Sequence, residues 1–199
     1  MTLSVATLTG SAIDDVVGDL ARLRIEIFRD WPYLYDGDTA YEEKYLGAFA
    51  AIENAAVIAA FSGEGSNREL VGAATCAPLA GEVDAFRQPF ERAGMDVSKI
   101  CYFSESVLKP AWRGQGIGHL FFDGREAHAR SLGLQNAAFC AVVRPDDHPM
   151  RPADYRPLDP FWEKRGYRKV EGLTCTFPWK DIGDRAQTEK PMQFWMRAL

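Results

Sequence analysis

The sequence predicts a single α/β (α+β) domain whose central sheet is mixed and mostly antiparallel, with helices on both faces. The first observation is a strand, a glycine turn, a helix and a second strand in succession over residues 100–144, an order that makes a parallel crossover. The second is a hairpin pattern over residues 55–78, and the third is a pair of aromatic strands after residue 172. Because these last two add antiparallel strands, the sheet is expected to be mixed.

The first half of the chain supplies a strand, two helices and the hairpin. Residues 2–8 are typical of a strand, and apolar residues at helical spacing predict a helix over 11–28. A short helix is expected at 39–49, after an aromatic and acidic loop. The two strands of the hairpin, 55–78, flank a turn-like segment of glycine, serine and asparagine. An insertion at 82–98 is expected to form an extra surface helix.

The second half of the chain carries the crossover and the closing strands. A central strand over 100–108 leads through the glycine turn into a helix that ends near Leu132, and a buried strand follows. A proline-rich loop at 144–157 leads to a short helix and to the aromatic strands, with 180–199 as a C-terminal strand extension. Since no repeat, low-complexity tract or linker divides the chain, we expect one domain over residues 1–199.

Composition and charge limit the classes of protein that fit. Of the 199 residues, 47% are hydrophobic and 26% are charged, which is the balance of an ordinary globular protein. The formal net charge is −5, so a broad electropositive surface for nucleic acid is not expected. The N-terminus has no basic segment before an apolar core, and no apolar run is long enough to span a bilayer. We therefore expect a cytoplasmic monomer or homodimer without nucleic-acid or membrane partners.

Cysteines and histidines show no metal-ligand spacing. His119 and His128 lie nine residues apart on one predicted helix, which does not bring them to one ligand position. The cysteines lie far apart among apolar or small neighbours, so buried free thiols are expected at Cys76, Cys101, Cys140 and Cys175. No metal site is expected.

Residues 109–133, KPAWRGQGIGHLFFDGREAHARSLG, place three glycines at alternate positions directly before an amphipathic run. The N-terminus of a helix carries unpaired N–H groups and about half a positive charge from its dipole. Because Gly114, Gly116 and Gly118 lack Cβ atoms, phosphate oxygens are able to approach several of these donors together. Arg113 adds a cationic side chain at the same place. The stretch therefore predicts a cradle for a diphosphate.

Three phosphate-binding patterns can be compared with this stretch. The P-loop is absent because no Lys-Ser or Lys-Thr pair follows the glycines, and the Rossmann pattern GxGxxG fails because the glycines run GxGxG. The pattern that matches is [RQ]xxGx[GA], read as RGQGIG over 113–118 after the strand SESVL. The later segment FWEKRGY, residues 161–167, is similar to a helix-turn FYEKxGF. In both segments the chain resembles the GNAT superfamily of acetyl-CoA-dependent N-acetyltransferases.

The resemblance implies a fold, a cofactor and an activity. Loop amides would hold the pyrophosphate of coenzyme A, and the strand before the loop would splay from the strand over 136–144 to admit the thioester. The activity implied is transfer of an acetyl group from acetyl-CoA to a primary amine, with a small molecule favoured, by direct attack through a tetrahedral intermediate. The cofactor-binding residues implied are Val107, Leu108, Arg113, Gly114, Gln115, Gly116, Ile117, Gly118 and His119.

The reaction needs a base, and Glu105 is the candidate. An amine with a pKa of about 10.4 is almost fully protonated near neutral pH, so its proton must be removed. Glu105 lies within the central strand, close along the chain to the expected acetyl position. A charge in a central strand is costly unless it is paired or solvated. Glu105 is therefore either this base, directly or through water, or part of a structural ion pair.

Two positions depart from the family pattern. Val142 stands where many relatives place a carboxylate, and Trp162 stands where they use a tyrosine as general acid. An indole N–H does not release its proton at neutral pH, but a thiol pKa of about 8.5 makes the departing thiolate stable enough for water to protonate it. Stabilisation of the oxyanion, expected from the amide of Leu108, then matters more. Tyr155 or Tyr102 is expected to replace the acid, and the alternative for each is a packing role.

The resemblance implies that the acceptor enters from the side formed by the first two helices and the loop between them. In that loop Trp31, Tyr33 and Tyr35 are expected to line an apolar wall, and Asp36 to attract a cation. The alternative is that the aromatic rings only hold the helices together and the acids are solvated. Arg144 is expected to bind an acidic group on substrate or cofactor, or to pair with aspartates nearby in the sequence.

Two other functions stay open at this point. An acyl-CoA-binding sensor or interaction domain without turnover is supported by Val142 and Trp162, and a structural domain that only retains the fold is the third reading. The enzyme is preferred because a domain that only binds a coenzyme has no evident need for Glu105 or for an aromatic and acidic loop at the entrance of the acceptor site.

Overall fold

The computed structural model describes residues 2–199, which form eight strands and five α-helices. The strands are β1 (Leu3–Thr9), β2 (Ala56–Ser62), β3 (Glu69–Pro78), β4 (Ile100–Tyr102), β5 (Ser106–Leu108), β6 (Asn136–Val142), β7 (Arg168–Trp179) and β8 (Thr188–Ala198). The helices are α1 (Val17–Phe28), α2 (Thr39–Ala50), α3 (Asp84–Arg92), α4 (Ile117–Ser131) and α5 (Asp159–Lys164).

All eight strands belong to one sheet. Seven follow the order β1-β2-β3-β4-β6-β8-β7, and β5 pairs with β3 beyond the end of β4. β4 and β6 are parallel, and every other recorded pair is antiparallel. This arrangement confirms the predicted mixed and mostly antiparallel sheet, with α4 as the crossover helix between the parallel strands.

β4 and β6 stay paired only as far as Phe103, whose N–H donates to the Ala138 carbonyl (2.8 Å). Directly after it, the Ser104 N–H donates to the Thr75 carbonyl (3.2 Å), and the Thr75 N–H donates to the Glu105 carbonyl (3.0 Å). Ser104 and Glu105 thus both lie opposite Thr75, an arrangement that is a β-bulge. The bulge divides the single strand predicted here into β4 and β5. Beyond the bulge β5 pairs with β3 while β6 pairs with β8, so a slot opens between β5 and β6.

Helices cover both faces of the sheet. α1 and α2 pack on one face, where Leu20 and Val107 belong to one buried apolar cluster. α3 lies within the predicted insertion 82–98 and covers the same face further along, burying Phe86 and Phe90 against β4, β6 and β8. α4 covers the opposite face with buried phenylalanines. The helices on the two faces confirm the predicted layering.

The first α-helix begins later than the sequence periodicity predicts. Gly10–Val16 is a 3-10 helix, and α1 starts at Val17. Ile13 and Val16 are both buried, and their spacing of three residues suits the three-residue turn of a 3-10 helix. Over one or two turns, apolar residues three and four positions apart do not distinguish the two helix types.

Helix α4 contacts β2 where Gly124 faces Ile58, and a Cβ atom built at position 124 would lie 2.9 Å from Ile58 Cγ2. We expect Gly124→Leu to lower the free energy of unfolding by about 1–3 kcal/mol, because the larger side chain pushes α4 away from β2. Gly47→Leu in α2 is the control, since a Cβ there meets no atom within 4 Å. Urea unfolding measures both variants, and equal losses would contradict this contact.

Among residues 2–199, no helix has the length and apolarity needed to cross a bilayer. Within the same range, no three His, Cys, Asp or Glu side chains cluster so that they could hold a metal ion. The four cysteines are free thiols, of which Cys175 is half-buried and the other three are buried.

Candidate active site

The glycine loop between β5 and α4 has a backbone that only glycine adopts readily. Gly114 (φ +76°) and Gly116 (φ +83°) both lie in the left-handed region. Cβ atoms built at these two positions meet nothing within 4 Å, so the backbone is open to a bound group. The His119 N–H donates back to the Gly116 carbonyl (2.9 Å), which begins the helical hydrogen bonding. The N–H groups of Ile117 and Gly118 therefore lie at the open end of the helix.

Polar side chains hold the loop in shape. Arg113 Nε donates to the Leu108 carbonyl (3.2 Å), and Gln115 Nε2 donates to a carbonyl of the turn before it (3.1 Å). Arg113, Gln115 and His119 are exposed, whereas the Ile117 side chain is buried in the core. The structure thus brings the predicted loop residues to one place, with Ile117 contributing only its backbone.

β5 presents alternate residues to the slot. On either side of β5, the Glu105 carbonyl accepts a hydrogen bond from β3 (3.0 Å) and the Lys109 N–H donates one to β3 (2.9 Å). In an antiparallel pair, every second residue forms its main-chain hydrogen bonds to the neighbouring strand, so Val107 also bonds β3. The main-chain groups of Ser106 and Leu108 therefore point away from β3 and toward the slot. The prediction that Val107 offers its main chain to a cofactor is therefore wrong. Ser106 takes that position, and Leu108 faces the slot as its predicted role requires.

A cavity lies on the face of the sheet opposite α4, between α1, α2 and the strands. The cavity has a volume of about 90 Å³ and opens to solvent at its mouth. Ser104 and Glu105 of the bulge and Cys140 of β6 all line it, so cavity and slot meet where the strands separate. Most of the other lining side chains are aromatic: Phe28, Tyr33, Tyr35, Tyr41, Tyr45, Phe86, Tyr102, Phe177 and Trp179.

Three buried charged side chains also line the cavity. Arg24 of α1 forms ion pairs with Glu42 of α2 and with Glu105, and the side chains of these two carboxylates are 1% and 3% exposed. Burial acts to lower the pKa of Arg24, but Glu105, Tyr45 and Glu42 together raise it above its ordinary value, so Arg24 stays charged. Glu105 therefore makes the structural ion pair that is one of its two predicted roles. Its Oε1 atom accepts no hydrogen bond from the described residues.

A further carboxyl group adjoins the cavity through Ser104. Glu82 follows the 3-10 turn Leu79–Gly81 and is 8% exposed. Ser104 Oγ donates to Glu82 Oε1 (3.1 Å). Burial and the negative charge of Glu105 raise the pKa of Glu82 to about 7, although hydrogen bonds from Ser104 and the Val83 N–H oppose the shift. A carboxyl group that titrates near neutral pH is suited to proton transfer.

Of the two tyrosines predicted as general acids, only Tyr102 lines the cavity. Its hydroxyl lies 3.0 Å from Cys140 Sγ, and burial raises the pKa of Tyr102 well above its ordinary value. Tyr155 instead packs edge-on against Trp31, with 5.9 Å between ring centroids, and does not line the cavity. Trp162 packs in an aromatic cluster on the α4 face. The structure therefore places one of the two predicted acids, Tyr102, at the site.

The loop between α1 and α2 separates the predicted substrate residues. Tyr33 and Tyr35 line the cavity, and their role in binding the acceptor stays a prediction. Trp31 instead packs against the loop after β6, through rings 5.0 Å apart between centroids. Asp36 forms an ion pair with Lys180 (2.6 Å), whose hydrogen bond and charge lower the pKa of Asp36. The predictions for Trp31 and Asp36 therefore fail, because both side chains contact neighbouring elements and not the cavity.

Arg144 holds the wall of the cavity in place and is not among its lining residues. It donates from Nε to the Pro32 carbonyl (2.8 Å) and from a terminal nitrogen to the Tyr33 carbonyl (2.7 Å). Both terminal nitrogens donate to the Asp181 carboxylate (2.7 and 2.9 Å). The guanidinium is thus fully engaged, which corrects its predicted role as a ligand for substrate or cofactor. Its aspartate partner lies after β7 and not nearby in the sequence.

Three residues of the site were not among the sequence predictions: Arg24, Glu42 and Glu82. Arg24 follows Leu20 by four residues and Glu42 precedes Leu46 by four, so each charge occupies an inward position of its helix. A charged residue on an apolar stripe is a readable signal of a buried ion pair. Glu82 carries no such signal, because its burial depends on contact with the distant bulge.

Comparison with known proteins finds similarity in structure but not in sequence. No family model and no curated protein matches this chain. An acetyltransferase of the GNAT family from Streptococcus pneumoniae matches with a TM-score of 0.57 at 12% identity, over 100% of both chains. A ribosomal-protein-alanine N-acetyltransferase from Brucella melitensis matches with a TM-score of 0.61 at 12% identity, over 98% of this chain and 99% of its own. YncA from Salmonella typhimurium, solved with its cofactor acetyl-CoA, matches with a TM-score of 0.58 at 12% identity, over 100% and 95%.

These similarities define the class: the chain has the fold of the GNAT acetyltransferases, as the sequence resemblance implies. The likeness covers 98–100% of this chain. At these identities a shared fold does not carry a shared substrate. What this chain binds and transforms therefore follows from its own residues.

Proposed function

We propose that this protein is an N-acetyltransferase that moves the acetyl group of acetyl-CoA to a primary amine of a small molecule. One observation carries the proposal. The slot between β5 and β6 connects the glycine loop, at the start of α4, with the charged cavity on the other face of the sheet. The coenzyme would bind from the α4 side, and the acceptor would occupy the cavity.

The glycine loop fits the diphosphate of the coenzyme. Gly114 and Gly116 leave the backbone open where a Cβ atom would otherwise stand. The N–H groups of Ile117 and Gly118 begin the 15-residue helix α4, whose dipole favours an anion at this end. Arg113 adds a positive charge on the exposed side of the loop. YncA, which was solved with its cofactor acetyl-CoA, supports the same ligand here.

The slot residues fit the arm that carries the acetyl group. The main-chain groups of Ser106, which face away from β3, are able to bond an amide of an extended chain as a neighbouring strand would. When bound, acetyl-CoA supplies an activated thioester that an amine nitrogen attacks directly. The Leu108 N–H would donate to the acetyl oxygen, where negative charge develops. Tyr102, which its raised pKa keeps protonated, would donate a hydrogen bond toward the departing sulfur.

The cavity favours a small amine with a positive charge. Arg24, Glu42 and Glu105 together carry one negative charge, and a single cationic group on the ligand would neutralise it in this buried setting. The aromatic walls suit an alkyl or aryl chain and also attract cations. Because Arg144 fixes the loop that covers the cavity, a small molecule fits better than a polypeptide.

A second candidate function is an acyl-CoA-binding sensor without turnover. Trp162 favours it, because the indole is packed among aromatic rings and supplies no acid from α5. The sensor and the enzyme differ in one measurable property, which is release of the coenzyme thiol in the presence of an amine.

Calorimetry with acetyl-CoA and a thiol-release assay with an amine panel test the proposal. The panel contains alkylamines, arylalkylamines, diamines and amino acids. We expect acetyl-CoA to bind, and amines without a carboxylate to release thiol, whereas amino acids are repelled by the negative cavity. Binding without thiol release from any amine would favour the sensor. Absence of binding would contradict both functions.

A further inference from the structure

We propose that Glu82 accepts, through the Ser104 hydroxyl, the proton that the acceptor amine must lose before it attacks. The inference rests on the proposed function, because it concerns the same cavity and the same reaction. It moves the role of base from Glu105, in the central strand, to a residue between β3 and α3.

The geometry places Ser104 between the cavity and Glu82. Ser104 lines the cavity at the bulge, where β4 and β6 separate and the slot begins. Its Oγ donates to Glu82 Oε1 over 3.1 Å, so the hydroxyl proton already points at the carboxylate. The lone pairs of the same oxygen remain for a hydrogen bond from a ligand in the cavity. A bound ammonium group that donates to Ser104 would complete a two-step path for its proton.

Glu105 is less suited to this role than Glu82. The guanidinium of Arg24 forms an ion pair with Glu105, which a proton on the carboxylate would have to displace. Glu82 forms no ion pair with any described residue, and its known partners are the Ser104 hydroxyl and the Val83 N–H. Among the carboxylates near the cavity, Glu82 is therefore the one that accepts a proton without breaking an ion pair.

The surroundings of Glu82 keep its proton affinity high. Burial, together with the charge of Glu105 on the bulge, raises the pKa of Glu82 to about 7. The other titratable groups that its charge reaches are Tyr45 on α2, Cys101 and Tyr102 on β4, and Cys140 on β6, each with a raised pKa and therefore neutral. An ordinary glutamate has a pKa of about 4.3, so the equilibrium constant for proton transfer from the amine to Glu82 is about 500-fold larger than to such a glutamate.

The proposed step balances in protons and bonds. An N–H bond of the ammonium breaks as its proton forms a bond to Ser104 Oγ, and the former hydroxyl proton moves to Glu82 Oε1. The freed nitrogen lone pair then forms the C–N bond of the amide as the C–S bond of the thioester breaks. The departing thiolate takes the second proton from nitrogen, and Glu82, which is 8% exposed, returns its own proton to solvent.

Glu82→Gln tests the inference through the pH dependence of the rate, with acetyl-CoA and an active amine from the panel. We expect the wild-type kcat to rise through an apparent pKa near 7, the value at which Glu82 loses its proton. The variant should lower kcat about 100-fold at neutral pH and lose this inflection. Ser104→Ala should also lower kcat, and Ser104→Thr, which keeps the hydroxyl, should restore it. Glu91→Gln, on the exposed side of α3, is the matched control.

Two measurements on the free protein separate this role from a structural one. A carboxyl ¹³C signal that titrates near pH 7 should be present in the wild type and absent in Glu82→Gln. Because the pKa of Glu82 is raised above its unfolded value, its charged form opposes folding above about pH 7, and this opposition disappears as the pH falls. The variant should therefore resist urea better than the wild type at alkaline pH, so unfolding would not explain its loss of rate.

The outcomes distinguish the inference from the proposed function. An active wild type with an unchanged pH profile in Glu82→Gln would overturn the role of Glu82 and leave the acetyltransferase intact. A Glu82 carboxyl that titrates near pH 4 would also overturn it. A wild type that acetylates no amine of the panel would remove the proposed function and this inference together.

Discussion

Gly116→Asp is expected to weaken acetyl-CoA binding by at least about 100-fold, which corresponds to about 2.8 kcal/mol. Gly116 has a φ of +83°, and a Cβ atom at this position would enter the open space in front of the loop. Aspartate adds bulk there, and it also adds a negative charge beside two phosphates, a juxtaposition that costs several kcal/mol. Calorimetry with the folded variant measures the loss.

Gly94→Asp is the matched control for this variant. Gly94 has a φ of +74° in an exposed turn after α3, and a Cβ atom there meets nothing within 4 Å. The backbone strain of the two substitutions is therefore similar, and only the position relative to the ligand differs. Equal affinities of the two variants for acetyl-CoA would show that the diphosphate does not bind at the glycine loop.

Short-range patterns in the sequence account for the parts of the molecule that were predicted. The glycine turn sets Gly114 and Gly116 in the left-handed region, and both the strand before them and the helix after them follow from local periodicity. The parallel pairing of β4 with β6 follows because a helix connects them, and a helical connection returns the chain in the same direction. Each of these inferences needs only residues close together in the chain.

The position of the slot residues was not predictable from the same patterns. The bulge at Ser104 and Glu105 depends on how β4 meets Thr75 of β3, about thirty residues earlier. That one extra residue decides which main-chain groups beyond it point toward β3. As a result Ser106, and not Val107, faces the slot together with Leu108. The sequence pattern of a strand shows which side chains share a face. It does not show which residues direct their main-chain hydrogen bonds to one neighbouring strand and which to the other.

The charged cavity was predicted only in part for a related reason. The three charged groups that line it come from α1, α2 and the bulge, and Glu82 beside it comes from the turn before α3. No local pattern brings Arg24, Glu42, Glu82 and Glu105 together. The aromatic loop between α1 and α2 lies beside the cavity, but its side chains divide between the cavity and the outer loops. Tertiary contacts decide that division, and the composition of the loop does not.

Arg24→Met is expected to be the most destabilising substitution at the site, lowering the free energy of unfolding by about 3–5 kcal/mol. The change removes the one cation that the buried carboxylates of Glu42 and Glu105 share. Methionine fills much of the space of arginine, so the loss comes from two uncompensated charges and not from a void. Urea unfolding at neutral pH measures it. Arg22→Met is the control, because Arg22 lies on the same helix with its side chain 68% exposed.

The pH dependence of this loss identifies its cause. In Arg24→Met the buried carboxylates oppose folding only while they are charged, so protonation removes the penalty. The difference in stability between wild type and variant should therefore be full at neutral pH and shrink as the pH falls. Adding Glu42→Gln and Glu105→Gln to the variant should recover much of the stability at neutral pH, because both groups are then neutral. A loss that is independent of pH and unaffected by the two glutamines would show that Arg24 acts through packing against Phe28 and Tyr45.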